Sequence, residues 1–233
     1  MVRGQAKVDE YFDNYKILID GRWSLEDLYQ FPRAYEQVYF AIEAMLPATD
    51  EDAEYRMGKA FLAYPWQGGY SAVNFYNSLK YVTPVHERPN IVSLKYASPG
   101  WIELFLNLPL AIQVAGAITT VAGSIGACNK VYHTIYTNLQ QRKLLKIEVE
   151  RKEIELTKEQ LSMVRHSFDE LSSMIGIEHI QTINSRTDDP LISLKILLSI
   201  YRRLRDLAEY QNTGKADFRM PKIPPKSFDD LLF

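Results

Sequence analysis

A long stretch without formal charge constrains this chain more than any other feature. From Leu104 to Asn129 the sequence contains no Asp, Glu, Lys, Arg or His. Its apolar side chains have to be removed from water, because burying apolar surface contributes about 25 cal/mol per Å². The pattern predicts a long helix running on from Trp101, with Pro109 as a kink or a restart. The central question is therefore what covers this helix.

The two faces of the predicted helix differ in side-chain size. Large apolar residues fall on one helical stripe, and small residues lie on the other side. The stripe contains Val114, Ile118, Val121 and Ile125, and the small-residue side contains Gly116 and Gly123. A one-sided apolar stripe is typical of a helix that packs on protein. We therefore expect a core helix or a contact between copies of the chain.

A membrane is the main alternative cover for the same residues. About 20 apolar residues suffice to cross a bilayer, and small residues let membrane helices approach closely. The topology is less favourable, because the cationic residues Lys130, Arg142 and Lys143 follow the segment. By the positive-inside tendency, the N-terminal unit would have to be exported, although residues 1–10 have no apolar signal core. A helix lying on a membrane surface is a third interpretation.

A second pattern follows in the charged residues from 138 to 175. Ile154, Leu161 and Phe168 are spaced by seven, and Val164 and Leu171 provide a second core position. This spacing predicts a coiled-coil-like seam, and hence a long helix that projects as a polar stalk and self-associates. The alternative is a solvated helix with one side packed on a bundle.

Local signals predict further elements before the uncharged segment. Residues 16–21 and 91–96 have the composition of short strands. Ser24 is a good N-cap for a helix that Pro32 interrupts and Pro47 closes. Two strands alone would form a marginal sheet, so we expect either further strands or a second chain to complete it.

The predicted elements together indicate a fold class and a division of the chain. Residues 98–100 resemble the N-terminus of the long helix, and residues 189–190 resemble that of a last helix. We expect an α+β fold, predominantly helical, in which a small N-terminal α+β unit (1–100) precedes long helices forming a bundle or coiled-coil-like stalk (101–214). A tail (215–233) ends in apolar residues that either dock on the body or occupy a partner's groove.

The bulk composition limits the functional classes. The formal net charge of -2 argues against nucleic acid as a partner, since a basic surface would normally dominate such a protein. The single cysteine, Cys128, gives no disulfide framework and is typical of a reducing compartment. We therefore expect a cytoplasmic protein that associates with a membrane only if the uncharged segment inserts.

The best local candidate for a ligand site is a short loop with two glycines. Glycines before a helix allow backbone N–H groups to converge on an anion, and aromatic rings can stack on a ligand. The candidate residues are Trp66, Gln67, Gly68, Gly69, Tyr70 and Ser71. The loop lacks the lysine and the glycine spacing of a phosphate loop. A tight turn packed by its aromatic rings is the alternative.

Other reactive chemistry is not predicted. The histidines have no zinc-ligand spacing, and Cys128 has no neighbouring base in the sequence. We therefore predict no catalytic residue, no metal and no cofactor. Arg202, Arg203 and Arg205 form a small basic patch, which is usually a solvated helix face.

Three functional hypotheses follow from these patterns. The first is a non-enzymatic interaction or assembly protein that self-associates through the uncharged helix and the charged helix, with itself or another protein as partner. The second is a membrane-acting effector, toxin- or defence-like, in which the N-terminal unit senses a signal and residues 104–129 insert. The third is a small-ligand or nucleotide-processing enzyme built around the loop from Trp66 to Ser71.

Overall fold

A computed structural model of the chain describes residues 11–48, 51–63, 70–142, 144 and 156–219. These residues form a four-stranded antiparallel sheet and eight α-helices. The strands are β1 (Phe12–Ile19), β2 (Asn90–Lys95), β3 (Gly100–Asn107) and β4 (Ala216–Asp217), and the helices are α1 (Leu25–Glu43), α2 (Glu51–Leu62), α3 (Tyr70–Val82), α4 (Leu108–Gly123), α5 (Ile125–Gln141), α6 (Lys158–Ile175), α7 (Thr182–Thr187) and α8 (Pro190–Asn212). The fold is mixed α+β and mostly helical, which confirms the predicted class at that level.

The sheet combines strands from both ends of the described chain. Its order is β2-β3-β1-β4, and β1 pairs with β3 over its whole length. Alternate residues face the helices: Tyr15 lies opposite Leu104 and Ile17 opposite Ile102, and all four are buried. The two predicted strands alone would form a marginal sheet, and β3 and β4 of the same chain complete it. The sheet also spans the boundary expected at residue 100.

The prediction of helix from Trp101 onward is wrong for residues 101–107, which form β3. The strand alternates buried and partly exposed residues, but its outward side chains include Trp101 and Phe105. Because Trp101 and Phe105 place apolar side chains on the outward face, the two-residue period that distinguishes a strand is weak in the sequence. Residues 98–100 are likewise not the N-terminus of a helix; they lead from β2 into β3.

The uncharged segment is not one helix. It starts in β3, continues as α4, and turns by 86° into α5, which begins at Ile125. The Asn107 side chain caps α4 by accepting a hydrogen bond from a backbone N–H (3.1 Å). Pro109 therefore lies in the first turn of a new helix, where its missing N–H costs nothing. Ser124 lies at the break, and its hydroxyl donates to the Thr120 carbonyl (2.9 Å).

Helix α6 packs on the body of the protein, so the predicted stalk is wrong. Thr157 forms a capping box at the start of α6, which begins a new helix at that point. The predicted seam residues of α6 face its neighbours: Val164, Phe168 and Leu171 are buried, and Leu161 is half-buried. Ile154 lies outside the described residues. Heptad spacing marks one face of an intramolecular bundle here, because such a face has nearly the same period as a coiled-coil seam.

Helix α1 begins as predicted, and Pro32 does not interrupt it. Ser24 forms a capping box with the third helical residue. Proline removes one backbone hydrogen bond and costs a helix interior about 3 kcal/mol. The nearby Phe31 and Tyr35 are buried, and their burial offsets this cost. The helix ends at Glu43, earlier than predicted.

Helix α8 is enclosed on nearly every side. The Asp189 side chain accepts hydrogen bonds from the N–H groups of Leu191 and Ile192 (2.8 and 3.1 Å), and Pro190 occupies the first turn, as predicted. Every residue from Leu191 to Tyr201 is buried. Helices α1, α4, α6 and α7 contact α8, so it forms the centre of the helical layer.

A carboxyl group in the last turn of α1 makes the fold sensitive to pH. Glu43 is half-buried and accepts a hydrogen bond from the Thr83 hydroxyl (2.7 Å). Burial raises the pKa of Glu43 from 4.5 to about 7, and the neighbouring Glu87 carboxylate also raises it. At low pH the group is protonated in both the folded and the unfolded chain. As the pH rises from about 4.5 to about 7, the unfolded chain ionises before the folded chain, so stability declines; above about 7 both are ionised and the decline ends.

We expect Glu43→Gln to remove this decline, because it keeps an acceptor for Thr83 and loses the charge. In urea unfolding, the variant is more stable than the wild type by about 2 kcal/mol at about pH 8 and nearly equal to it at about pH 4. Glu170→Gln, on the exposed side of α6, is the control and leaves the decline unchanged. Equal pH dependence in the wild type and Glu43→Gln would contradict the assignment.

Candidate functional site

The stripe of the predicted contact helix lies inside the chain's own core. Val114, Ile118 and Val121 are 0% exposed, and α4 contacts α1, α6 and α8 of the same chain. Ile125 is the first residue of α5 and is half-buried. Protein from the same chain therefore covers the stripe.

The small-residue side of α4 faces outward. Gly116 and Gly123 are exposed, and Ile112 on the same helix is 50% exposed. A shallow groove of about 450 Å³ extends from this side to Phe218, just beyond β4. Small residues permit close approach of another surface but supply no ligand chemistry, so this side of α4 is not by itself a site.

Helices α4 and α5 are the part of the described chain that comes nearest to a membrane span. Within the described ranges, no single helix has the length and hydropathy of a span, and α4 and α5 reach these values only as a pair with the 86° bend between them. Because the large side chains of α4 are buried in the core, insertion of this pair would require α4 to leave its contacts with α8.

Of the predicted ligand loop, the described residues include only Tyr70 and Ser71. Trp66, Gln67, Gly68 and Gly69 lie outside the described residues. Helix α3 begins at Tyr70, so Ser71 lies within the first helical turn and is not the N-cap. That turn contains no acidic residue.

The described part of the chain contains neither a metal-ligand cluster nor an accessible thiol. No group of three or more His, Cys, Asp or Glu side chains in this part is arranged to hold a metal ion. Cys128 is 0% exposed, and its Sγ lies 3.3 Å from the hydroxyl of Ser124, which is not a base.

The edge strand β2 carries the main exposed apolar surface. Five large apolar residues on or beside it are between 40% and 59% exposed. They are Ile91, Val92, Leu94, Tyr96 and Phe105, and we name them the β2 surface. In the described chain, β2 pairs on one side only, with β3, so its other side presents unpaired backbone groups.

A bulge in β2 determines which side chains share a face. The register shifts between Ile91 and Ser93, so Ile91 and Leu94 both lie on the helix side of the sheet. Ser93 lies on the opposite side, where its hydroxyl donates to Glu103 (2.8 Å) and accepts from the Trp101 indole (3.2 Å). The bulge thus places two apolar side chains together on the face that the helices cover elsewhere.

An apolar cleft adjoins the β2 surface. It has a volume of about 560 Å³ and lies between α1, α3 and the sheet, with Ile91 among its lining residues. Its buried lining residues include Ile17, Phe31, Phe40, Ile102 and Leu104. At its rim, the Lys80 ammonium lies 2.6 Å from the Glu36 carboxylate. Concave, largely apolar surfaces with a few polar groups are the usual form of ligand sites.

A tyrosine hydroxyl near the cleft is left without a partner. Tyr35 lines the cleft, and its buried hydroxyl has no hydrogen-bond partner among the described residues. Burial raises the pKa of Tyr35 well above its ordinary value, and the neighbouring Tyr15 and Tyr39 also raise it. The hydroxyl is therefore neutral and adds no charge to the cleft.

Comparison of the chain with protein-family models, with curated protein sequences and with solved structures finds no match. Functional conclusions therefore depend on the geometry of this chain.

The position of the α4 stripe leads to a prediction about stability. Ile118→Ala should lower the free energy of unfolding by about 3 kcal/mol, because it leaves a cavity in the core. Ile112→Ala, on the outward side of the same helix, should change it by only about 0.5 kcal/mol. Urea unfolding measures both, and the Ile118→Ala loss should be the same at two protein concentrations. A loss that depends on concentration would instead indicate that Ile118 contacts a second copy.

Proposed function

We propose that this protein is a non-enzymatic interaction protein that assembles with a second copy of itself through the β2 surface. The observation that supports the proposal is an unpaired strand edge flanked by half-exposed apolar side chains. Exposed apolar patches of this kind mark interaction sites in soluble proteins. An unpaired edge also supplies backbone donors and acceptors that another strand can satisfy.

The residue order of β2 suits pairing with an identical strand. In an antiparallel pair centred between Val92 and Ser93, Ile91 of each copy lies opposite Leu94 of the other. Both residues lie on the helix side of the sheet, so each pair forms an apolar contact on one face. The resulting contact is two-fold symmetric and repeats the same apolar pair twice.

The charges of the strand also favour this arrangement. β2 contains one charged residue, Lys95. In the centred antiparallel register, Lys95 lies opposite Asn90, so the two lysines lie at opposite ends of the contact and do not repel one another closely. The bulge at Val92 twists the edge and keeps the pairing short. A closed dimer is therefore favoured over open-ended association.

The sequence predicted self-association through the uncharged helix and the charged helix, whereas the proposed contact uses the β2 surface. The stripe of α4 and the heptad positions of α6 are buried within the chain. Contacts between copies through those residues would require the core to open first. The β2 surface is accessible without such a change.

A second candidate function is action on a membrane, and the observation that favours it is the uncharged helix pair α4 and α5. In this case α4 leaves the core and the pair inserts. Flotation of the full-length protein with lipid vesicles tests the candidate. Protein that remains at the bottom of the gradient at every lipid composition would eliminate it.

The dimer proposal predicts the effect of a charge on the strand edge. Leu94→Lys should convert a dimer into a monomer, because it places a charge opposite Ile91 at two places in each dimer. A loss of about 1.4 kcal/mol at each place raises the dissociation constant roughly a hundredfold. Light scattering after size-exclusion chromatography measures the change.

Two further variants make this test specific. Leu62→Lys introduces the same charge at an exposed apolar residue at the end of α2 and should leave the dimer intact. The Ile91→Cys/Leu94→Cys double variant should form disulfide-linked dimers, and Cys128 is too buried to compete. A wild-type protein that is monomeric at high micromolar concentration, or an equal effect of Leu62→Lys, would refute the proposal.

A further inference from the structure

A basic pocket of about 510 Å³ lies between α1, α3 and α8. Four of its lining side chains are arginines: Arg33 comes from α1, and Arg202, Arg203 and Arg205 come from α8. Asp206 is the single carboxylate among the described lining residues. The arginines of α8 therefore belong to a pocket and not only to a solvent-exposed helix face, because Arg33 of α1 lines the same pocket.

Three of these arginines have no acidic partner. Arg205 is paired with Asp206 (3.0 Å). Within the described residues, Arg33, Arg202 and Arg203 form no ion pair with a carboxylate. Cations that converge without a counter-charge repel one another, so a bound anion would lower the electrostatic free energy of this region.

Neutral groups hold Arg203 in place and leave part of it free. Its Nε donates to the Gln37 side-chain oxygen (2.5 Å), and its Nη1 donates to the carbonyl and the hydroxyl of Ser199 (2.9 Å each). Its Cζ lies 4.1 Å from the centre of the Tyr76 ring. Among the described residues, Nη2 has no acceptor, so two N–H donors of a fixed guanidinium remain available.

The burial of Arg203 and the charges around it also change the pKa of its guanidinium. Burial lowers the pKa of the guanidinium, and the charges of Arg202 and Arg33 lower it as well, whereas Tyr76 and Asp206 raise it. A guanidinium nevertheless keeps its charge at neutral pH. The pocket thus holds a permanent positive charge that Asp206 neutralises only in part.

Helix α3 contributes to the same pocket. Ala72 and Val73 in its first turn line the wall, and that turn contains no acidic residue. The start of a helix carries partial positive charge from its unpaired N–H groups. The helix therefore adds to the field of the arginines.

We propose that this pocket binds the phosphate group of a small phosphorylated molecule. Guanidinium groups suit phosphate because they present paired N–H donors in a planar array. The modest volume of the pocket suits a small molecule rather than a polymer. The net charge of -2 of the whole chain also differs from that of a general nucleic-acid binder.

The neighbouring cleft determines what the rest of the ligand is. Arg33, Gln37 and Val73 line both the basic pocket and the apolar cleft. A ligand whose phosphate lies among the arginines can therefore place an aromatic or apolar body over Phe31 and Phe40. The ligand class is a phosphate monoester or diphosphate with such a body, similar in size to a nucleotide.

Titration calorimetry on the full-length protein tests the proposal with two probes, inorganic phosphate and adenosine monophosphate. Both should bind, and the nucleotide should bind more tightly than inorganic phosphate because its body reaches the cleft. Arg202→Gln should weaken both probes about tenfold through loss of a charge-assisted hydrogen bond. Arg202 is exposed and has no partner in the described chain, so this variant tests binding without disturbing the fold.

The control removes the same charge elsewhere. Arg22 lies in the exposed loop before α1. Arg22→Gln should therefore leave binding of both probes unchanged. Equal weakening by Arg22→Gln, or no binding of either probe at millimolar concentration, would overturn the proposal. Tighter binding of inorganic phosphate than of the nucleotide would overturn the role of the cleft. Leu94→Lys should still bind both probes, which separates this test from that of the dimer.

Discussion

The complete burial of the first half of α8 is the constraint on which the rest of the structure depends. From Leu191 to Tyr201 this helix has no exposed residue. A helix that is covered on all sides needs neighbours around its whole circumference. Helices α1, α4, α6 and α7 fill these positions, and each presents its apolar face inward. The stripe of α4 and the heptad positions of α6 have the same explanation: both serve to enclose α8.

Local chemistry between side chains and backbone was the predictable part of the fold. Ser24 and Asp189 cap helices because their side chains accept hydrogen bonds from the free N–H groups that follow. Gly176 ends α6 because it adopts a positive φ of 70°. Such signals act over three or four residues, so a single sequence contains all the information needed to detect them.

The less predictable part depends on contacts between distant residues. The sequence of β3 resembled that of a helix because Trp101 and Phe105 place apolar side chains on its outer face. The two-residue alternation of the strand becomes clear only from its pairing with β1. The basic pocket was hidden for a similar reason. Arg33 and Arg203 are remote in the sequence, and nothing near either residue indicates that α1 and α8 bring them to one pocket. The exposure of β2 also depends on which strand lies at the edge of the sheet.

The position of Ile91 links the two proposed binding events. This side chain lines the apolar cleft and also belongs to the free edge of β2. A ligand in the cleft and a second copy on the edge would therefore contact the same residue from two sides. By thermodynamic reciprocity, the factor by which the ligand changes dimer affinity equals the factor by which the dimer changes ligand affinity. If both proposals hold, this one isoleucine at the strand edge would couple assembly of the protein to the small molecule.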